Sequence, residues 1–185
     1  MEQCLKKRKK RKRFSLIRSE REIAELIDGL PTDDCVYKFI SDGGFSSISF
    51  VKYISGRCHI RDFYASSFRI GKKELRLIDR LFKSGVIDMC HFAVGTLMAN
   101  DSESVKRYKY YEDFKSLCDT NGWTYSVVNN HSKIMLFDTD VGKFVIETSS
   151  NLNENPKIEQ FGFEKDEELF EFYKQVFENW KLEES

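Results

Sequence analysis

The fold of this chain is indicated by one stretch, which reads His131-Ser132-Lys133-Ile134-Met135-Leu136-Phe137-Asp138. It places an imidazole and an ammonium group two residues apart, at the start of an apolar strand. Side chains at positions i and i+2 of a strand point to the same face of a sheet. We therefore expect His131 and Lys133 to converge on one bound group, which is what nucleophilic chemistry on a phosphate needs.

A polar segment follows on the next predicted strand. It reads Thr148-Ser149-Ser150-Asn151-Leu152-Asn153, and the stretch Asn155-Pro156-Lys157-Ile158-Glu159 comes soon after it. The turn Thr139-Asp140-Val141-Gly142 separates this strand from the preceding one. The pattern predicts a strand–turn–strand unit that ends in a small polar loop.

The rest of the chain predicts strands that alternate with helices, then a run of strands, then a final helix. This order is typical of an α/β fold around a mixed sheet, and the sequence shows no internal repeat. We divide the chain into a disordered basic arm (1–18), an N-terminal helix (19–32) and one α/β domain (33–182). The predicted strands are 36–40, 58–63, 86–94, 123–128, 133–138, 143–147 and 158–163, and the main helices are 71–84, 105–118 and the segment from about 166.

The spacing from His131 through Lys133 to Asp138 matches the HxKxxxxD signature of the phospholipase D superfamily. Residues 148–153 resemble the Gly-Ser-x-Asn-x-Asn element of that family, and Glu159 resembles the Glu that follows on its next strand. The order of elements is similar to single-motif proteins of this family from bacteria, phages and mobile elements. The resemblance implies a mixed β-sheet flanked by helices, with one HKD half per chain.

The resemblance also implies roles for individual residues. His131 is the candidate nucleophile that attacks phosphorus to form a phosphohistidine, and Lys133 would bind the non-bridging phosphate oxygens. Ser149 and Asn151 would donate hydrogen bonds to the same oxygens, and Asn153 is a supporting candidate. Such chemistry needs neither a metal nor another cofactor.

Two further acidic residues complete the predicted site. Glu159 would accept a hydrogen bond from a catalytic histidine and so fix its tautomer. Asp138 is better interpreted as structural, because it lies five residues beyond Lys133, at the end of the strand.

The chain has one matching motif and therefore supplies one catalytic imidazole. The chemistry that the resemblance implies needs two imidazoles that face each other across one phosphate. The resemblance therefore predicts a C2 homodimer in which two copies of His131 meet. His59 and His91 are the intrachain alternatives, although neither has a Lys two residues further along.

Structural interpretations of the same residues stay open at this point. His131 and Lys133 could form an exposed strand edge after a plain Asn129-Asn130 turn, and Glu159 could be a surface residue. Residues 149–155 could be only a polar loop. Thr148 also stands where the family has Gly, at a position that favours Gly.

The net charge of zero conceals an uneven distribution of charge along the chain. Residues 1–18 carry nine of the 30 Lys and Arg residues and one of the 30 acidic residues, which gives this segment a charge of +8 and the remainder −8. An uninterrupted cationic run has nothing to bury and attracts phosphate backbones, so we expect disorder and nucleic-acid binding. A targeting signal and a tail without a role are the alternatives. The run consists of Lys6, Lys7, Arg8, Lys9, Lys10, Arg11, Lys12 and Arg13.

The composition of the chain indicates its cellular compartment and the class of protein it belongs to. The five cysteines show no C-x-x-C spacing, which argues against a disulfide framework or a zinc site and favours a reducing compartment. No apolar stretch is long enough to span a membrane. We expect a cytoplasmic protein (in the host cell if phage-encoded) and a metal-independent nuclease as its function. A catalytically silent nucleic-acid-binding or regulatory dimer and a phospholipid phosphodiesterase are the alternatives.

Overall fold

The computed structural model describes residues 10–19, 22–100, 110–153 and 157–182. The described residues contain eight strands and six helices. The strands are β1 (Arg11–Ile17), β2 (Cys35–Ser41), β3 (Ile60–Ser67), β4 (Ile87–Gly95), β5 (Thr124–Val128), β6 (Ile134–Thr139), β7 (Gly142–Thr148) and β8 (Gln160–Lys165). The helices are α1 (Glu22–Leu26), α2 (Ile48–Ser55), α3 (Lys72–Lys83), α4 (Thr96–Asn100), α5 (Tyr110–Asn121) and α6 (Glu167–Leu182).

The strands form one mixed sheet in the order β1-β2-β8-β7-β6-β3-β4-β5. The pairs β1/β2, β3/β4 and β4/β5 are parallel, and the central pairs are antiparallel. This arrangement brings the C-terminal ends of β2, β3, β4, β5 and β7 to the same edge as the N-terminal ends of β6 and β8. The loops at that edge carry both polar segments picked out from the sequence.

The two faces of the sheet are covered unequally. Apolar side chains of α1, α2, α3 and α5 join one large core on one face, where Phe45, Phe50 and Phe114 are fully buried. The other face has a smaller core, in which Phe170 and Phe177 of α6 pack on Tyr64. A single helix cannot cover eight strands, because strands lie about 4.8 Å apart and a helix is about 10–12 Å wide.

Most of the predicted elements are present, with shifted ends. The strand expected over 58–63 runs from Ile60 to Ser67, and the one expected over 158–163 runs from Gln160 to Lys165. The N-terminal helix is much shorter than residues 19–32, since it covers only Glu22–Leu26. Residues 101–109, where the long helix was expected to begin, lie outside the described residues.

The prediction of a disordered arm is wrong for residues 11–17. These residues form β1, which pairs in parallel with β2 along its whole length. Two interactions of this segment with the rest of the domain explain this. Ile17 is fully buried in the main core, and Lys10 forms ion pairs with Glu164 at 2.7 Å and with Asp166 at 2.8 Å. Residues 1–9, which include Lys6 to Lys9, lie outside the described residues.

The described cysteines Cys35, Cys58, Cys90 and Cys118 are all free, and three of them are buried. The three buried cysteines pack as small apolar residues of the main core. Within the described ranges, no helix is long and apolar enough to cross a membrane.

Candidate active site

His131 and Lys133 lie in the loop that leads into β6, because the strand begins at Ile134, one residue later than expected. The His131 side chain is exposed and Lys133 is partly buried. The Lys133 Nζ atom lies 3.1 Å from His131 Nδ1 and donates a hydrogen bond of 2.5 Å to the His131 carbonyl oxygen. The imidazole and the ammonium group are therefore adjacent, as the i and i+2 spacing predicted.

A buried side chain, Asn130, fixes the loop that carries His131. Its Nδ2 atom donates to Ser66 Oγ at 2.8 Å and to the Ala93 carbonyl at 3.3 Å. Its Oδ1 atom accepts from the backbone N–H and the hydroxyl of Ser132, at 2.8 and 2.7 Å. The alternative of a plain Asn129-Asn130 turn is therefore excluded, because the Asn130 side chain connects β3, β4 and the segment that carries His131.

Phe68 and Gly95 shape the other side of His131. The Phe68 and His131 rings lie 5.4 Å apart between centroids. A Cβ atom at Gly95 would approach Phe68 Cδ2 to 2.8 Å and the Asn130 carbonyl to 3.1 Å. Gly95 thus permits the close approach of the two segments that position His131.

The polar loop after β7 is anchored next to this segment. Thr148 N–H donates to the Lys133 carbonyl at 3.1 Å, and Thr148 Oγ1 accepts from the Ser150 N–H at 2.9 Å. The threonine that replaces the family's glycine therefore forms a hydroxyl-supported turn. Its backbone also ties the loop directly to the residue that carries the ammonium group.

Ser149 and Glu159 form a hydrogen-bonded pair at the same edge. Ser149 Oγ donates to Glu159 Oε2 and accepts from the Gln160 N–H at 3.1 Å. The Glu159 backbone is held by Ser41, whose Oγ accepts from Glu159 N–H at 3.0 Å and whose N–H donates to the Glu159 carbonyl at 2.8 Å. Only 9 % of Glu159 is exposed, so it is not a surface residue. Ser149 thus orients Glu159.

The far end of the loop rests on β3 and on the starts of α2 and α3. Leu152 N–H donates to Ser67 Oγ at 2.9 Å, and Ser47 Oγ donates to the Asn151 carbonyl at 3.1 Å. The Oδ1 atoms of Asn151 and Asn153 are buried and have no hydrogen-bond partner among the residues described. An Asn presents either its oxygen or its NH₂ group in one position after a half-turn of the amide. The two amides therefore hold unused hydrogen-bonding capacity.

Ser66 and Ser67, at the end of β3, join the two halves of the site. The Ser66 hydroxyl lies 2.5 Å from the Ser132 hydroxyl, and Ser67 binds the loop that carries Asn151. Both serines are almost completely buried. The sequence analysis missed them, although two consecutive serines at the end of an apolar strand are a signal for such anchoring.

Electrostatics distinguish Lys133 from an ordinary surface lysine. Partial burial lowers the pKa of Lys133 because it disfavours the charged form, and the attraction of Glu159 only partly offsets this effect. The negative charge of Glu159 therefore acts on Lys133 across the site. A cation that is partly desolvated gains more from a phosphate than a fully hydrated one does.

The remaining candidates lie away from this edge. Asp138 is at the opposite end of β6, roughly 17 Å from Lys133 at the rise of a strand, and pairs with Arg61 at 2.5 Å. His59 pairs with Asp88 at 2.8 Å before β3 begins. His91 lies inside β4 with Nε2 3.0 Å from Asp62 and Nδ1 2.7 Å from Thr124 Oγ1.

The described part of the basic arm is partly neutralised by the protein itself. Burial alone lowers the pKa of Lys10, but hydrogen bonds to Asp166 and Glu164 outweigh it and raise the pKa. Arg11 pairs with Asp34 at 2.6 Å, and Arg13 lies over the Tyr37 ring at 5.5 Å. Lys12 is exposed. In the described part of the chain, no three or more His, Cys, Asp and Glu residues are grouped so that they could hold a metal ion.

Comparison with known proteins gives structural relatives only, since no protein-family model and no curated protein sequence matches this chain. The phospholipase D family member Nuc from Salmonella typhimurium is 14 % identical with a TM-score of 0.55, over 78 % of this chain and 92 % of Nuc. Phosphatidylserine synthase from Haemophilus influenzae is 13 % identical with a TM-score of 0.56, over 78 % of this chain. Polyphosphate kinase from Porphyromonas gingivalis is 10 % identical with a TM-score of 0.60, over 79 % of this chain.

The chain spans 38 % of the phosphatidylserine synthase and 26 % of the polyphosphate kinase, but its match extends over nearly all of Nuc. These likenesses confirm the fold that the sequence predicted. The chain has a phospholipase D-like fold, a mixed sheet flanked by helices.

Proposed function

We propose that this chain is a metal-independent phosphodiesterase that cleaves nucleic acid, with His131 as its nucleophile and a second copy completing the site. One observation carries the proposal. The exposed His131 imidazole, the Lys133 ammonium group and the Ser149–Glu159 pair lie at one edge of the sheet, on loops anchored by buried hydrogen bonds. Such preorganisation is what phosphoryl transfer requires.

In the first step, the lone pair of His131 Nε2 attacks phosphorus and the P–N bond forms. The ester P–O bond breaks, and the leaving oxygen takes a proton from a second imidazole. Water then attacks phosphorus and gives a proton to that imidazole. The P–N bond breaks, so that His131 and the second imidazole both return to their initial states.

The contact between Lys133 and His131 sets a condition on this step. An ammonium group can only donate, so the 3.1 Å contact engages the Nδ1 lone pair and leaves the proton of the neutral ring on Nε2. Attack by Nε2 needs the other tautomer. We expect the phosphate oxygens to draw Lys133 away, after which Nδ1 can carry the proton and donate it towards Glu159.

The second imidazole has to come from another copy of the chain. The sequence contains three histidines, and His59 and His91 lie elsewhere in paired arrangements. A C2 dimer that brings two His131 side chains together supplies both the nucleophile and the acid. The match to nearly the full length of Nuc supports a unit of one motif per chain.

Nucleic acid is the substrate that the charge distribution favours. Residues 6–9 and the exposed Lys12 add positive charge that attracts a phosphate backbone without regard to sequence. Asn151 and Asn153 lie on the loop that follows Ser149, and their NH₂ groups are the donors that we assign to phosphate oxygens.

The test incubates the purified protein with single- and double-stranded DNA and RNA in excess EDTA. His131→Ala is the test variant, and His59→Ala is the matched control, since the His59 side chain is 41 % exposed but lies outside the site. We expect cleavage by the parent and by His59→Ala, and none by His131→Ala. Binding without cleavage by the folded parent would contradict the enzyme proposal and favour the silent dimer. Cleavage of phospholipid vesicles alone would contradict the choice of substrate.

A further inference from the structure

Helices α2 and α3 border an open channel of about 460 Å³, which we call the α2–α3 channel. Its charged lining residues are Lys52, Lys73, Glu74, Arg76, Asp79 and Arg80. Both helices follow strands that end at the edge of the sheet where His131 lies, so both begin at that edge and run away from it. The channel therefore extends from the candidate active site along the surface of the domain.

The start of the channel is attached to the polar loop of the site. Ser47, the residue before α2, donates from its hydroxyl to the Asn151 carbonyl at 3.1 Å. Gly71, the residue before α3, donates from its N–H to the Leu152 carbonyl at 2.8 Å. The position of both helices is thus fixed relative to the loop that carries the candidate phosphate ligands.

Four cations give the channel its charge. Lys73, Arg76 and Arg80 are all exposed on α3, and their spacing of three and four residues places them on one face of the helix. Lys52, also exposed, contributes a fourth cation from α2. The cations therefore form a row along the channel rather than a single cluster.

The two acidic residues of the channel are turned to other partners. Glu74 is only 4 % exposed and accepts a hydrogen bond from the Ser46 hydroxyl at 3.3 Å. Asp79 accepts from Lys83 Nζ and from Asn121 Nδ2, each at 2.8 Å. The charge that the channel presents to solvent is therefore positive.

This positive charge is exceptional for the domain. Helix α3 contains five basic and two acidic residues, whereas α1, α5 and α6 each contain two more acidic than basic residues. The chain beyond residue 18 carries a charge of −8. A cleft lined by one sign of charge attracts ligands of the opposite sign, so an acidic domain with one basic channel is suited to an anionic ligand.

The segment between β3 and α3 connects the channel to the nucleophile. The Phe68 ring lies 5.4 Å from the His131 ring, and the Arg69 guanidinium group lies 5.5 Å from the centre of the Phe68 ring. Arg69 is exposed, and Lys73 follows it four residues later. Exposed cations thus continue from the neighbourhood of His131 into the channel.

We infer that the α2–α3 channel holds the phosphate backbone of the nucleic-acid strand on one side of the bond that is cleaved. The inference rests on the proposed function and adds to it where the substrate lies. From Lys73 to Arg80 the row is about 10 Å long at 1.5 Å per residue, which corresponds to about three nucleotides at 3.4 Å each. The guanidinium groups of Arg76 and Arg80 match phosphate oxygens in bidentate geometry. A small phosphodiester that fills only the catalytic site cannot reach these contacts.

The first test measures binding of a labelled single-stranded oligonucleotide by fluorescence anisotropy at several salt concentrations. All proteins carry His131→Ala, so that the strand stays intact. Arg76→Gln and Arg80→Gln each remove one channel cation, and Lys115→Gln removes one exposed cation of α5 outside the channel. We expect each test variant to bind about 3–10-fold more weakly and to lower the slope of log affinity against log salt by about 1. The control should keep both values, and circular dichroism should show the same fold for all.

The second test measures cleavage in EDTA by the same variants with His131 intact. We expect kcat/KM for the oligonucleotide to fall about 3–10-fold in Arg76→Gln and Arg80→Gln, because the lost contact lies on the strand and not at the reacting phosphate. Hydrolysis of bis(p-nitrophenyl) phosphate should stay within about twofold of the parent, since this diester does not reach the channel. The control should match the parent on both substrates.

The outcomes separate the channel from the proposed function. If the parent cleaves the oligonucleotide and both test variants keep its affinity and salt slope, the channel assignment is wrong and the proposed function stands. Equal losses on both substrates would mean that the substitutions disturb the catalytic site, which also overturns the channel assignment. A parent that does not cleave, but whose binding depends on Arg76 and Arg80 as expected, would support the channel and contradict the enzyme. A parent that binds anionic phospholipid vesicles and no oligonucleotide would overturn both.

Discussion

His131 and His91 are both histidines of the central sheet region, and their surroundings differ in every respect that matters for chemistry. His91 is mostly buried, stacks on Tyr64 at 4.3 Å, and has a partner at each ring nitrogen. His131 is exposed, and within the described chain only Nδ1 has a polar partner. An imidazole with both nitrogens engaged holds strands together, whereas one with an open nitrogen can react.

The largest effect should come from exchanging each histidine for alanine. His131→Ala should lower the rate of cleavage by at least about 10⁴-fold, because it removes the nucleophile, and leave the melting temperature unchanged. His91→Ala should keep the rate within a few-fold and lower the free energy of unfolding by about 1–3 kcal/mol, because Asp62 and Thr124 lose their partner. Cleavage assays and urea titrations measure both quantities. If His131→Ala loses stability but keeps its cleavage rate, and His91→Ala loses its cleavage rate but keeps stability, the roles given to the two histidines are wrong.

The second-largest effect should come from Lys133, whose ammonium group lies beside His131. Lys133→Met keeps the length of the side chain but removes the charge that offsets the developing negative charge on phosphate. We expect the rate to fall by about 10²–10³-fold. Lys72→Met, on α3, serves as the control and should match the parent. A loss of less than threefold in Lys133→Met would mean that Lys133 does not bind the phosphate.

A smaller effect should come from the buried amide that positions His131. Asn130→Ala removes four hydrogen bonds, so we expect a rate about 10–100-fold lower and a loss of about 1–3 kcal/mol in stability. The neighbouring Asn129 is exposed and provides the control, since Asn129→Ala should change neither quantity. If Asn130→Ala loses stability but keeps full activity, the loop does not need this anchor for catalysis.

The smallest effect is a shift in pH dependence. Partial burial lowers the pKa of Lys133 below the usual 10.5, so its charge is lost at a lower pH than that of a surface lysine. The rate should therefore show an alkaline fall below pH 10.5 in addition to the fall caused by loss of the acidic proton of the second imidazole. In Lys133→Arg the fall that Lys133 causes should move to higher pH, because a guanidinium stays charged there. An alkaline limb at the same pH in the parent and in Lys133→Arg would show that another group titrates.

The sequence predicted the parts of this structure that depend on local pattern. The spacing of His131, Lys133 and Asp138 with an apolar run between them predicted the fold, and the short contact of the first two residues follows from that spacing. Strand positions were correct to within a few residues, because alternating apolar side chains and turn residues are local signals. The hydrogen bond between Ser149 and Glu159 was not predicted, because the resemblance assigned Ser149 to the phosphate oxygens and Glu159 to a histidine.

The parts that sequence reasoning missed depend on contacts between distant segments. The anchoring role of Asn130 was not predicted, because its partners Ser66 and Ala93 are more than 30 residues away in the sequence. The strand β1 was interpreted as disordered because its cations dominate the pattern, whereas Ile17 and the pairing with β2 place it in the sheet. Neither set of contacts can be predicted from the sequence before the order of the strands in the sheet is known.

The most direct test of the account is to look for the covalent intermediate on His131. The parent is mixed with a short oligonucleotide in EDTA, stopped with base to preserve phosphohistidine, digested and analysed by mass spectrometry. The account predicts a phosphonucleotide adduct on the peptide that contains His131, and no adduct in His131→Ala. An adduct on another residue, or a His131→Ala variant that cleaves as fast as the parent, would contradict it.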